Sequence, residues 1–233
     1  MDGTSLAIDI ETVGLPWEEL DQAVRKYLKT RGDGEQTEED VKQSLALNPG
    51  TGKIVAIGLW RPEEDKGGVL MALPSGAVSE PSWEEFSDRS SIYRGSERQV
   101  LREFWRYVGM DRVGRLVTFN GRVFDGPFLM LRSSILGIRP TRNFVPYRYD
   151  FRRHCDLAEV VSFYRSRPLE TLDFWCRQAG IESPKKQMEG NQVEEFYESE
   201  RYDQIATYCL GDARATAELF EVLKPVVQLM DSD

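Results

Sequence analysis

Carboxylate side chains occur in three short patterns that suit the binding of divalent cations. The first pattern is Asp9-Ile-Glu11, which lies in an apolar run that begins at Leu6. Residues i and i+2 of a strand point to the same face, so Asp9 and Glu11 should project together. Two buried carboxylates repel each other, and Mg²⁺ or Mn²⁺ would offset that repulsion because both ions prefer oxygen ligands. The alternative is a solvent-facing strand with two ordinary acids.

The second pattern surrounds Asp125. An apolar strand ends at Asn120-Gly121, a dipeptide that favours a sharp turn, and the next helix should begin near Phe124 and Asp125. Asp125 suits the N-cap of that helix, or it could direct its carboxylate at a metal ion. Phe124 could pack in the core or stack on a terminal base, and the core is favoured.

The third pattern pairs Tyr208 with Asp212, one helical turn apart on the same face. A tyrosine hydroxyl titrates near pH ~10, so it suits the orientation of a water molecule better than the removal of its proton. His154 is the only histidine in the chain and is a weaker catalytic candidate. Asp156 is expected to cap the helix that follows it.

The three patterns together, Asp9-x-Glu11, Asn120-Gly-x-x-Phe-Asp125 and Tyr208-x-x-x-Asp212, resemble the exonuclease motifs of the tyrosine-containing branch of the DEDD superfamily. The runs from Pro49 to Gly58 and from Ile205 to Thr216 look like those of stand-alone 3′–5′ exonucleases similar to the proofreading domain of family B DNA polymerases. This resemblance implies an α/β, ribonuclease-H-like fold with a mixed sheet flanked by helices.

The resemblance also implies hydrolysis of phosphodiester bonds at the 3′ end of single-stranded nucleic acid by a two-metal-ion mechanism, with DNA slightly favoured over RNA. An exoribonuclease and a catalytically silent nucleic-acid-binding module of the same fold are the alternatives. Ala213 departs from the family pattern, which usually has a larger aliphatic residue after the last aspartate. The implied roles are two divalent cations, Mg²⁺ or Mn²⁺, held by Asp9, Glu11, Asp125 and Asp212, a water molecule oriented by Tyr208, and substrate contacts from Asn120, Phe124 and Lys186.

Composition is compatible with this interpretation. The 233 residues, 40% hydrophobic and 30% charged, predict a single domain over 1–233. The absence of a long apolar run or a secretion signal predicts a cytoplasmic protein with no membrane segment, and three cysteines without Cys-x-x-Cys spacing predict reduced thiols. The net charge of −9 argues weakly against nucleic acid. However, the stretch from Arg122 to Arg167 contains nine arginines and four acids, which is compatible with a nucleic-acid enzyme that has one basic face and does not by itself imply one.

Hydrophobic periodicity predicts an early β-meander followed mainly by helices. A helical insertion over 15–48 should separate the first two strands, residues 74–92 should form an exposed connection, and 138–154 should be irregular. Ser96 and Gln99 form a capping-box pattern. A protein partner for targeting is expected but unidentified. The predicted strands are 4–10, 53–60, 68–73 and 115–119, and the predicted helices are 17–29, 37–47, 125–136, 156–165, 169–179, 191–199 and 202–222, with one more after Ser96.

Overall fold

The computed structural model describes residues 4–31, 37–110, 113–182 and 190–231. The strands are β1 (Thr4–Gly14), β2 (Gly52–Arg61), β3 (Lys66–Ala72), β4 (Trp83–Ser87), β5 (Ser90–Gly95), β6 (Val113–Thr118) and β7 (His154–Asp156). The helices are α1 (Gln22–Thr30), α2 (Glu38–Lys42), α3 (Glu97–Val108), α4 (Asp125–Ile135), α5 (Leu157–Val161), α6 (Leu172–Ala179), α7 (Val193–Glu198) and α8 (Tyr202–Met230).

The strands form one mixed sheet in the order β4-β5-β3-β2-β1-β6-β7. Strands β1, β2 and β3 pair antiparallel as a meander, whereas β6 pairs parallel to both β1 and β7. Strand β1 lies between β2 and β6 in the interior of the sheet, and side chains on both of its faces are buried. The predicted α/β class and mixed sheet flanked by helices are confirmed.

Helices cover both faces of the sheet. On one face, Ile8 and Ile10 of β1 join a core with Phe104 and Trp105 of α3. On the other face, Ala7 and Val13 join a second core with residues of α8, including Phe220. Residues 9 and 11 share the second face with Ala7 and Val13 because side chains alternate along a strand. The long helix α8 therefore covers the side of the sheet on which Asp9 and Glu11 lie.

The helical excursion between β1 and β2 is present as α1, α2 and two short 3₁₀ turns, Trp17–Glu19 and Leu45–Leu47, so the two long helices predicted there are each broken. Trp17, Leu28 and Val41 form a small core of their own. The extent of the single domain, 1–233, stays a prediction. Among the described residues, no helix combines the length and apolar character needed to cross a membrane.

Four predicted boundaries are wrong. The stretch 74–92 contains β4 and the start of β5, because β4 is an edge strand whose residues are largely exposed and polar. The irregular run ends in β7, a three-residue buried strand. The helix predicted over 156–165 ends at Val161, and α8 continues beyond 222 through Pro225 to Met230. The capping box of Ser96 and Gln99 is confirmed at the start of α3.

Candidate active site

Strand β1 presents Asp9 and Glu11 side by side towards α8. Their neighbours Ile8 and Ile10 are buried on the opposite face, as the strand period predicts. The pairing with β2 shifts directly after Glu11, since Glu11 pairs with Ala56 and Thr12 with Ile54. Such bulges bend a strand and redirect side chains, and they are frequent next to active sites. The irregularity thus lies at the residue that completes the Asp-x-Glu pair.

Helix α8 lies directly on the sheet at Gly58, the residue that pairs with Asp9. A Cβ atom at Gly58 would lie 2.5 Å from the backbone oxygen of Cys209 and 3.1 Å from the Cβ of Ala213. Only glycine permits this approach of helix and strand. The departure at position 213 lies at the same contact, because Ala213 is fully buried against Gly58.

The close approach places Tyr208 and Asp212 of α8 beside the carboxylates of β1. The charges of Asp212 and Glu11 both act on Asp9, and the Tyr208 hydroxyl hydrogen-bonds to the Asp212 carboxylate. Burial first, and then the charge of Asp212, raise the pKa of Tyr208 well above its ordinary value. The hydroxyl therefore stays protonated at neutral pH and donates to Asp212.

Helix α4 brings in the fourth carboxylate. Phe124 occupies the N-cap position and Asp125 is the first helical residue, so the N-cap role considered for Asp125 is wrong. Backbone N–H groups of Asp125 itself and of Ile10 donate to the Asp125 carboxylate. Because Ile10 lies between Asp9 and Glu11, this hydrogen bond ties the start of α4 to the carboxylate-bearing part of β1.

The four carboxylates form one electrostatic cluster. Burial, followed by the charges of Asp212 and its other carboxylate neighbours, raises the pKa of Asp9 and of Glu11 well above the ordinary range. Burial is also the largest cause that raises the pKa of Asp125 to about 7, and the charges of Asp156 and Asp212 add to it. Like charges gathered in a buried place are costly unless a cation offsets them.

This donor set fits a divalent cation. Ligand atoms of Asp9, Glu11 and Cys209 all lie within 4.8 Å of one another. The oxygen-rich set suits a hard cation such as Mg²⁺ or Mn²⁺, whereas a zinc site would favour sulfur and nitrogen ligands.

Cys209 is a neighbour of the site that the sequence patterns did not single out. Its buried thiol lies 3.5 Å from the backbone oxygen of Asp9 and 3.8 Å from Oδ2 of the same residue. Burial and the charge of Asp9 raise its pKa well above the usual range, so the thiol is neutral. Its position directly after Tyr208 on α8 was the available signal.

Asp156 does more than the predicted capping of α5. It accepts the N–H of Ala158 at 3.0 Å, as a cap does, and also accepts the N–H groups of Asn120 at 2.7 Å and Arg122 at 2.9 Å. The carboxylate thus fixes the turn that leads into Asp125. The signal in the sequence was weak, since Asp156 lies 36 positions after Asn120.

His154 belongs to the core and not to the carboxylate cluster. Its Nε2 lies 2.8 Å from the Thr118 hydroxyl and its Nδ1 lies 2.6 Å from the Phe144 carbonyl oxygen. Burial is the main cause that lowers its pKa to about 3, so the ring is neutral. The structure therefore places the only histidine of the chain in a packing role.

The predicted substrate contacts differ in how well they are placed. Asn120 lies at the turn before Asp125 with a φ of 67°, and its side-chain oxygen accepts a hydrogen bond from Arg165. Phe124 is partly buried, with its ring 5.6 Å from that of Phe128, which agrees with the favoured core position. Lys186 lies outside the described residues.

Comparisons with known proteins bear on the fold and the family. A family described as "Predicted 3′-5′ exonuclease related to the exonuclease domain of PolB" matches residues 84–225. A DNA polymerase of Pyrococcus glycovorans is 25% identical over 138 residues, covering 53% of this chain and 18% of the polymerase. A DNA polymerase of Thermococcus sp. (strain 9oN-7) is 28% identical over 138 residues, again covering 53% and 18%.

Among solved structures, the family B DNA polymerase of Pyrobaculum calidifontis matches with a TM-score of 0.62 and 21% identity. The match covers 98% of this chain and 26% of the polymerase chain. At this identity the likeness shows the fold. The chain thus spans about a quarter or less of each of these polymerases.

Proposed function

The chain belongs to the family of predicted 3′–5′ exonucleases related to the exonuclease domain of PolB, and from this premise we propose a two-metal-ion hydrolase. It removes nucleotides one at a time from the 3′ end of single-stranded nucleic acid. The observation that supports this proposal most is the meeting of Asp9 and Glu11 of β1 with Asp125 of α4 and Asp212 of α8.

Asp9, Glu11, Asp125 and Asp212 would hold two divalent cations, Mg²⁺ or Mn²⁺. When bound, the cations supply Lewis acidity towards a water molecule and the scissile phosphate, and they offset the charge of the cluster. Tyr208 stays protonated beside Asp212, so its hydroxyl orients the attacking water and does not remove a proton from it. The water oxygen forms a bond to phosphorus as the bond from phosphorus to the 3′ oxygen breaks; the proton of the water passes to solvent, and the departing 3′ oxygen takes up a proton from solvent.

Asn120 and the part of the Phe124 side chain that the core leaves exposed are the proposed contacts to the terminal nucleotide, because both residues lie on the turn that leads into Asp125. DNA is the slightly favoured substrate. The similarity to polymerases named for DNA synthesis supports this preference, whereas no described side chain can be assigned to a 2′-hydroxyl group.

The test is digestion of a 5′-labelled single-stranded oligonucleotide with Mg²⁺ or Mn²⁺. We expect stepwise shortening by the parent protein and loss of nearly all activity in Asp9→Ala and in Asp212→Ala, since each removes a ligand. Asp88→Ala is the matched control because its side chain is 86% exposed and lies at the far edge of the sheet. No shortening of DNA or RNA with either metal, from neutral to alkaline pH, would overturn the proposal.

A parallel digestion of DNA, RNA and mismatched duplexes separates the alternatives. Faster shortening of RNA than of DNA under matched conditions makes the protein an exoribonuclease. Oligonucleotide binding without any metal-dependent product makes it a silent binding module. The presence of all four carboxylates argues against that second outcome, because loss of a ligand is the usual mark of such modules.

A further inference from the structure

Three large aromatic side chains are exposed on the two chain segments that contact the turn before Asp125. Tyr147, Tyr149 and Phe163 are 73%, 51% and 49% exposed. The rings of Tyr147 and Tyr149 lie 5.6 Å apart, and Tyr149 lies 4.6 Å from Tyr164, the neighbour of Phe163. We call Tyr147, Tyr149 and Phe163 the aromatic platform. The exposed rings of Tyr147 and Tyr149 are in contact, and apolar side chains exposed as a group mark interaction surfaces more often than isolated ones do.

The platform is fixed to the turn that carries Asp125. The buried guanidinium group of Arg122 donates to the backbone oxygens of Pro146 at 2.9 Å and Tyr147 at 3.0 Å. On the other side, Arg165 donates to the side-chain oxygen of Asn120. Both chain segments that bear the platform are therefore held by residues of the turn from Asn120 to Asp125. The platform thus has a fixed position relative to this turn.

The backbone at Phe163 is strained, and neighbouring bonds maintain the strain. Phe163, Tyr164 and Arg165 have φ angles of 47°, 58° and 69°, a left-handed conformation that non-glycine residues rarely adopt. The N–H of Tyr164 donates to the Glu159 carbonyl oxygen at 2.8 Å, and the N–H of Arg165 donates to the Ser162 hydroxyl at 3.0 Å. Strain retained in this way is characteristic of functional segments.

The charge around the platform suits a polyanion. The stretch from Arg122 to Arg167 holds nine arginines against four acids, in a chain of net charge −9. One of the four acids, Glu159, is buried and pairs with Arg148 at 2.6 Å and with Arg165 at 3.4 Å. Arg148 and Arg165 thus lie close to the rings, with the Arg148 guanidinium 6.0 Å from the centre of the Tyr164 ring, and the acid between them is buried.

We propose that the aromatic platform binds single-stranded nucleic acid upstream of the 3′ end. Bases stack on Tyr147, Tyr149 and Phe163, and Arg148 and Arg165 contact phosphates, which is how strands are bound without regard to sequence. This inference rests on the proposed function for the direction of the strand. It adds that the enzyme prefers strands long enough to cover both the carboxylate cluster and the platform.

Binding is measured without metal, so that no cleavage occurs, by fluorescence anisotropy of a labelled strand of about twelve nucleotides in EDTA. Tyr147→Ala and Phe163→Ala should each weaken binding about tenfold, from the loss of one stacked base. Tyr147→Trp should keep the affinity, which separates stacking from damage to the fold. Tyr27→Ala is the matched control, because Tyr27 is a 66% exposed tyrosine on α1, and it should bind as the parent does.

Digestion provides the second measurement. The ratio of kcat/KM for the long strand to that for a trinucleotide should fall about tenfold in Tyr147→Ala. Unchanged binding and an unchanged ratio in both alanine variants overturn the platform, even if the parent digests DNA. Weakened binding with recovery in Tyr147→Trp supports the platform even if no strand is ever shortened, in which case the proposed function alone fails. The proposal is also overturned if an excess of unlabelled strand does not displace the bound labelled strand.

Discussion

The substitution Asp125→Asn should stabilise the metal-free protein while it removes activity. The ordinary pKa of an aspartate is 3.8, and that of Asp125 in the folded protein is about 7. Between these values the folded state retains a proton that the unfolded state has lost. The free energy of unfolding therefore falls as the pH rises from about 4 to about 7. The full loss above pH 7 is about 4 kcal/mol.

Asparagine has nearly the same shape and carries no charge, so this loss does not arise in the variant. The substitution also weakens the hydrogen bonds that the backbone N–H groups of Ile10 and residue 125 donate to this side chain, which costs about 1–2 kcal/mol. The expected net gain is about 2 kcal/mol at pH 8 and about zero at pH 5. Urea unfolding in EDTA at both pH values measures it, and the exonuclease assay should show loss of nearly all activity.

Asp156→Asn is the matched control, since Asp156 is also a buried carboxylate. Its oxygens accept three backbone N–H groups, from Asn120, Arg122 and Ala158. An amide cannot accept all three, so this variant loses a buried hydrogen bond, about 1–3 kcal/mol. Burial also raises the pKa of Asp156, so loss of its charge partly offsets this cost, and the variant should gain less stability at pH 8 than Asp125→Asn. Mg²⁺ or Mn²⁺ should stabilise the parent more than Asp125→Asn, because a ligand that binds only the folded state shifts the equilibrium towards it. A variant Asp125→Asn less stable than the parent at pH 8, with the same dependence on pH, would refute the reasoning.

Two further predictions concern packing. Gly58→Ala should lose about 1–3 kcal/mol of stability and on the order of 10²-fold in kcat/KM, because the new Cβ displaces α8. Gly190→Ala is the control, because its Cβ would meet no atom within 4 Å. It should behave as the parent does in urea unfolding and in digestion. Equal behaviour of Gly58→Ala and Gly190→Ala would contradict the argument. His154→Gln should lower the urea midpoint through two lost hydrogen bonds yet keep more activity than Tyr208→Phe; the reverse order would restore His154 as the catalytic candidate.

Local periodicity is what made the carboxylate pairs predictable. The strand period places Asp9 and Glu11 on one face, and the helix period places Tyr208 and Asp212 on another, whatever the rest of the chain does. The helix start at Asp125 was predictable from the Asn-Gly turn before it. The sequence therefore predicted each part of the site as a local unit.

Features that depend on distant contacts were not predictable in the same way. Gly58 looks like an ordinary strand glycine until α8 is packed on it, and Asp156 looks like a simple cap until the turn at Asn120 is folded beside it. Strand β4 lacks an apolar alternation because an edge strand of this sheet is largely exposed. The early end of α5 follows from the left-handed backbone conformation that begins at Phe163. The residue types in this segment do not predict that conformation.

The contact between Cys209 and Asp9 joins residues 200 positions apart. During synthesis at about 5–20 residues per second, β1 leaves the ribosome roughly 10–40 seconds before this part of α8 exists. Throughout that interval the chain has Asp9 and Glu11 but lacks Asp212 and Tyr208. The proposed metal site is therefore incomplete on the nascent chain, and it is assembled only when α8 docks on Gly58.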